Sequence, residues 1–106
     1  MAKYLIEGSY TADGIKGVIK EGGTGRRAAV SDALKALGGK IDSMYYAFGD
    51  TDVYVIVDVP DNLTMAALAM GVAATGAVRV KTTVLMTPEE IDQAGKKAVS
   101  YRAPGR

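Results

Sequence analysis

Whatever chemistry this chain performs must be done with carboxylates, phenols and cations. Its 106 residues include no cysteine and no histidine, which removes thiolate nucleophiles, disulfides, the usual zinc centres and imidazole proton transfer. One candidate group follows from strand alternation. Glu7, Tyr54, Asp58, Arg79 and Lys81 fall on one side of three apolar strands, provided the outer strands flank the first. A carboxylate beside Arg or Lys can bind a polar ligand or abstract a proton. In that chemistry Glu7 or Asp58 is the base, and Tyr54, Arg79 or Lys81 holds the developing oxyanion. The plainer reading, which the residues favour, is a set of cross-strand ion pairs at the rim of a subunit interface.

A second group is the run Gly22-Gly23-Thr24-Gly25-Arg26-Arg27. Free backbone amides, glycine access and a pair of arginines suit a phosphate or carboxylate, with Gly23, Thr24, Gly25, Arg26 and Arg27 as the anion contacts. The plainer alternative is an interhelical turn whose arginines reach solvent. The same run contains a loose dinucleotide fingerprint, but it follows a helix where that motif must follow a strand. As a GxxG stretch between helical pieces, Gly22–Gly25 also resembles the KH-type RNA-binding order. A formal net charge of only +1 and the lack of aromatic residues beside the glycines argue against nucleic acid. Asp50-Thr51-Asp52 falls short of a ligand set for a hard metal and reads as turn chemistry. No metal and no cofactor is called for.

The elements that must position these residues are legible in order. Lys3–Tyr10 alternates as a strand, with Tyr4, Ile6 and Gly8 on one face and Leu5, Glu7 and Ser9 on the other. Thr11 caps a helix in which Ile15, Val18 and Ile19 make an inward stripe; Gly22–Gly25 breaks or kinks it. A second piece carries Val30, Ala33, Leu34 and Leu37, and Gly38-Gly39 ends it. Lys40–Phe48 and Asp52–Val59 form a hairpin whose valines at 53, 55, 57 and 59 face the helices.

Asp61 or Asn62 caps the next helix, Leu63 to Thr75, which Gly76 ends. No charged residue occurs from Leu63 through Val78. A helix apolar all round is covered on more than one side, and this one is too short for the ~20 residues that span a bilayer. The extra cover must come from the other helix, the C-terminal segment or a second subunit. Val78–Met86 is the last strand, and Thr87-Pro88-Glu89-Glu90 starts a short helix with a capping box. Ile91, Ala94 and Ala98 give that helix a thin apolar edge, and a loose tail follows.

This order predicts an α+β ferredoxin-like plait over residues 1–87, a four-stranded antiparallel sheet with helices on one face. Residues 88–106 add the short C-terminal helix and tail. With one lysine and only Tyr4-Leu5-Ile6 as an early apolar stretch, the N-terminus does not read as a signal peptide, so cytoplasm is the expected compartment.

The residues also carry a family likeness. Lys3-Tyr4-Leu5-Ile6 through Ser9-Tyr10-Thr11, Glu21-Gly22-Gly23 with Arg26-Arg27, and Ala36-Leu37-Gly38-Gly39-Lys40 resemble the GYD-domain family. Phe48-Gly49-Asp50-Thr51-Asp52-Val53, Lys81-Thr82-Thr83 and Leu85-Met86-Thr87-Pro88-Glu89-Glu90 continue the likeness to about residue 98. The Gly-Tyr-Asp element that names the family is not intact: Thr51 stands where the tyrosine is expected, so no role of that tyrosine carries over. The resemblance implies a plait related to dimeric α/β-barrel proteins, which include cofactor-independent monooxygenases and isomerases. It implies a homo-oligomer, a dimer or a multiple of one, more firmly than any activity. The expected function is binding of a small molecule or anion, in a pocket between sheet and helices or at a subunit boundary. The alternative is a cofactor-independent enzyme acting on a small aromatic or carbonyl compound.

Overall fold

The computed structural model describes residues 1–106 and runs β1 (Ala2–Tyr10), α1 (Ala12–Ala36), β2 (Lys40–Tyr46), β3 (Val53–Val59), α2 (Asn62–Ala74), β4 (Val78–Leu85), α3 (Pro88–Gly95). The strands form one sheet in the order β2-β3-β1-β4, with every pair antiparallel. This is the predicted ferredoxin-like plait, with the short third helix at its C-terminal end.

The face assignments follow from register. Gly8 lies opposite both Val53 and Val80, and Tyr4 opposite both Val57 and Val84, so these side chains share the helix-covered face. Tyr4, Leu34, Val53, Val55, Val57, Val59 and Met65 form the buried core. The Tyr4 hydroxyl donates to the Asn62 side chain and so ties β1 to the first residue of α2.

The helix ends are built as the capping residues require. Thr11, Asp61 and Thr87 each accept from the backbone amide three residues on, and Thr87 with Glu90 completes a reciprocal capping box. Gly38 and Gly76 take positive φ just beyond α1 and α2.

α1 departs from expectation. Gly22, at φ 80° and ψ 161°, is the one non-helical residue in an otherwise continuous 25-residue element, and Gly23–Gly25 are helical. The half after the kink spans about 21 Å, which matches the roughly 23 Å of a seven-residue strand. It crosses the sheet from Tyr46, which packs on Gly23, to Leu34, which packs by Gly39. The half before the kink therefore has no strand left to lie on. Ile19 is 78% exposed and Ile15 39% exposed, so the stripe read as facing inward is uncovered within one chain.

α2 has the all-round apolar surface its sequence shows. Met65 is buried and Leu68 and Ala69 pack on the core, while Leu63 and Met70 point outward and are exposed. α1 lies mainly over β2 and α2 mainly over β4; each also reaches a middle strand, and Tyr4, Val53, Val55 and Val57 are buried there.

Candidate functional site

Between α1 and α2, over the Tyr10 half of the sheet, runs a groove. Its floor is Ile6 and Gly8 of β1 with the neighbouring valines of β3 and β4, and its cavity is about 170 Å³. One wall is the Met65, Leu68, Ala69 and Val72 stripe of α2; the other is the Arg26, Ala29, Val30 and Ala33 stripe of α1. Both stripes have the i, i+3, i+4, i+7 spacing of one helix face. Alanine at 29, 33 and 69 leaves too little side chain to close the gap. Apart from Arg26, Thr82 and the Tyr10 hydroxyl, the lining carries no polar side-chain group.

Arg26 and the Tyr10 hydroxyl gather at one end, whereas Thr82 stands across from Ile6, further along the floor. Tyr10 and Tyr46 end β1 and β2 on the covered face, and the Gly22 kink brings Gly23 against Tyr46. A β-carbon at Gly23 would sit 3.3 Å from Cε2 of Tyr46, so glycine is what lets the ring lie on the helix. Burial pushes the Tyr10 phenol up to about 12; the neighbouring Tyr46 hydroxyl adds to the rise, and the Arg26 guanidinium acts in the opposite sense. At neutral pH Tyr10 is therefore a protonated donor. Arg26 also meets Glu21 at 3.5 Å, and both side chains are partly solvated.

The structure places the glycine-rich run within α1, helical from Gly23 onward, and separates its two arginines. Arg26 turns into the groove, whereas Arg27, one residue and about 100° round the helix, is exposed. Gly23 and Thr24 are exposed and Gly25 half-buried within helix, so no GxxG loop projects between separate helices. Sequence reasoning grouped Arg26 with Arg27 by adjacency. The signal that separates them is the helical stripe from Arg26 to Ala33, which places Arg26 with the groove.

The other candidate group lies on the opposite face of the sheet. Tyr54 and Lys81 stand directly across from Glu7 on β3 and β4, so these three form one transverse row. Arg79 is opposite Ser9, one same-face position along. Asp58 is not part of the row: four residues along β3 from Tyr54, it is about 13 Å away. It pairs instead with Lys3, Nζ to carboxylate 3.0 Å. A bulge at Asp42 brings a second carboxylate to Lys3 at 3.5 Å. The hydrogen bond to Asp58, reinforced by the charges of both aspartates, raises the Lys3 pKa above its ordinary 10.5. Lys3 was not among the residues singled out from sequence, because its partners are 39 and 55 positions away.

The acidic turn is used structurally. The Asp52 carboxylate accepts from the Tyr10 amide at 2.8 Å, and the Asp52 amide donates to the Gly8 carbonyl at 2.8 Å. The Asp52 carboxylate and amide thus cap the end of the β1–β3 ladder, while its carbonyl accepts from the Ala47 amide at 2.8 Å across the β2–β3 turn. No helix is long and apolar enough to cross a membrane.

A family model described as GYD domain matches residues 4–94. No curated protein and no solved structure matches the chain.

Proposed function

The chain belongs to the GYD-domain family, and from the groove described above we propose that it is a homo-oligomeric protein that binds a small, mainly apolar molecule between its sheet and helices. The observation that carries this reading is a cavity of about 170 Å³ whose walls are alanine, valine, leucine and methionine, with Arg26 and the Tyr10 hydroxyl at one end and Thr82 as the other polar side chain. Apolar walls with a few placed polar groups are what small-molecule sites have in common.

Assembly rests on exposed area. The chain exposes 7535 Å² at 11.1 kDa, whereas a compact monomer of that mass exposes about 5,700 Å². Its radius of gyration is 16.9 Å, against about 13 Å for a compact domain of this length. A typical interface removes about 800 Å² from each partner, so the excess is enough for at least one further copy. The open sheet face suits a second copy by chemistry: Leu5, Ile56 and Leu85 supply apolar surface, and Glu7, Arg79 and Lys81 supply both signs of charge. That pairing is the dimeric α/β-barrel arrangement.

The groove is tested by filling it. Ala69→Phe should abolish binding of 1-octanol, measured by calorimetry, while circular dichroism stays as in the parent. Undiminished binding in the filled variant would reject the site. The Glu7–Tyr54–Lys81 row supports a second reading, a cofactor-independent enzyme with Glu7 as base and a second copy enclosing the open face. Glu7→Gln then abolishes turnover and leaves octanol binding in the groove unchanged.

A further inference from the structure

Two donors line one end of a groove that is otherwise without charge, and a third stands beside them. Arg26 reaches it from the first turn after the Gly22 kink and Tyr10 from the end of β1, while Tyr46, at the end of β2, lies next to them against Gly23. Gly22 takes a backbone conformation at φ 80° that turns the helix. Gly23 gives up its side chain to admit Tyr46, and Ala29 and Ala33 keep the wall beyond Arg26 low. A guanidinium packed along an apolar wall is desolvated in part, and an anion brought there gains more than it would in water. No carboxylate lines the groove to satisfy it from inside. Glu21 meets it only from the solvent side, at 3.5 Å, and remains half-exposed there.

We infer that the groove selects an apolar molecule ending in a carboxylate, with the tail between α1 and α2 and the carboxylate held by Arg26, Tyr10 and Tyr46. The protonated state of Tyr10 at neutral pH agrees with a donor role toward that carboxylate. A phosphate monoester has a bulkier, more hydrated head and would be better served by the backbone amides and paired arginines of an open loop, which the helical Gly23–Arg27 stretch does not provide. This inference rests on the groove being a ligand site, and the test is chosen to separate the two.

Octanoate and 1-octanol, which share a tail and differ in the head, are titrated into the intact oligomer by calorimetry below their aggregation limits. Octanoate should bind roughly ten- to hundredfold more tightly, the worth of a charge-assisted hydrogen-bond set. Arg26→Gln should erase that preference, so that octanoate binds the variant no more tightly than octanol does. Glu21→Gln should tighten octanoate a few-fold by freeing the guanidinium, with no effect on octanol. Equal affinities in the parent, or a preference that survives Arg26→Gln, would overturn the carboxylate inference and leave the groove standing. Failure of both molecules to bind would overturn both.

Discussion

On β3, Val53, Val55, Val57 and Val59 are buried, while the residues that alternate with them, Tyr54, Ile56 and Asp58, stay half or wholly exposed. The same division runs through β1, where Tyr4 and Gly8 are buried and Leu5, Glu7 and Ser9 are not. The two faces of the sheet are made by the same backbone and the same hydrogen bonds. What differs is the cover. One face is largely covered by helices of its own chain, so its buried positions answer to known neighbours, and the groove and the outer end of β4 are where that cover stops. The other carries leucine and isoleucine beside a glutamate, a tyrosine and two cations, a mixture with no neighbour in the chain. Composition like this is close to that of an interface, with an apolar centre and a charged rim. The contrast separates residues that set the stability of a subunit from residues that set its assembly.

The largest test of that division is a pair of substitutions, one on each side. Leu34, fully buried on the sheet-facing side of α1, should cost the fold about 2–5 kcal/mol on change to alanine. The loss should appear in denaturant melts at every protein concentration. Ile56→Lys on the open face should do the reverse. It should lower the molar mass in sedimentation equilibrium while keeping the far-ultraviolet spectrum, with a melting temperature that no longer rises with concentration. If Leu34→Ala dissociated a still-folded subunit, or Ile56→Lys left the mass unchanged, the two faces would not have the separate roles assigned here.

Much of the covered face was legible from sequence because it is local. Period-two valines, the Thr11, Asp61 and Thr87 caps, and glycines 38 and 76 each announce their element within a few residues, and the sheet order follows from few allowed connections. A pocket between sheet and helices was expected, but its walls were not legible. They come from α1 and α2 lying mainly over opposite edges of the sheet, with alanines at 29, 33 and 69 leaving the gap unfilled, and no short window contains that arrangement. The inward stripe of Ile15, Val18 and Ile19 misled for a related reason: periodicity says which face is apolar, but the length of the sheet decides whether anything lies beneath. Glu7, Tyr54 and Lys81 came together because alternation and register suffice for neighbours in a row. Asp58 fell away because the same arithmetic, carried four residues further, moves it to another row and another partner.

A smaller effect sharpens the comparison at the kink. Gly23→Ala places a methyl group 3.3 Å from the Tyr46 ring, a contact that the ring can relieve by a small rotation. Subunit stability should change by less than about 1.5 kcal/mol. The position of Tyr46 should change more than that figure implies, and octanoate affinity should fall several-fold while octanol affinity holds. A parallel loss of both would mean that α1 itself had shifted, and the groove wall would have to be assigned to the helix as a whole.

The smallest effect concerns how the covering helix is fastened. The Asp61 carboxylate accepts from the Thr64 amide at 2.9 Å and from the Thr64 hydroxyl at 2.7 Å. Those two bonds, the amide first, hold its pKa below the ordinary 3.8. A carboxyl that is more acidic folded than unfolded stabilises the fold fully above its unfolded value, and the contribution is lost as pH falls through the folded one. The window is therefore below 3.8, on the acid limb alone. Asp61→Asn keeps an oxygen that can cap α2 but removes the titration. The variant should melt a little below the parent at neutral pH and converge on it at the acid end. Because α2 covers the inner face and makes no claim on the outer one, that convergence should appear in melting temperature and leave the sedimentation mass at each pH unchanged. A mass that followed the Asp61 titration would show that the start of α2 belongs to the assembly as well as to the subunit.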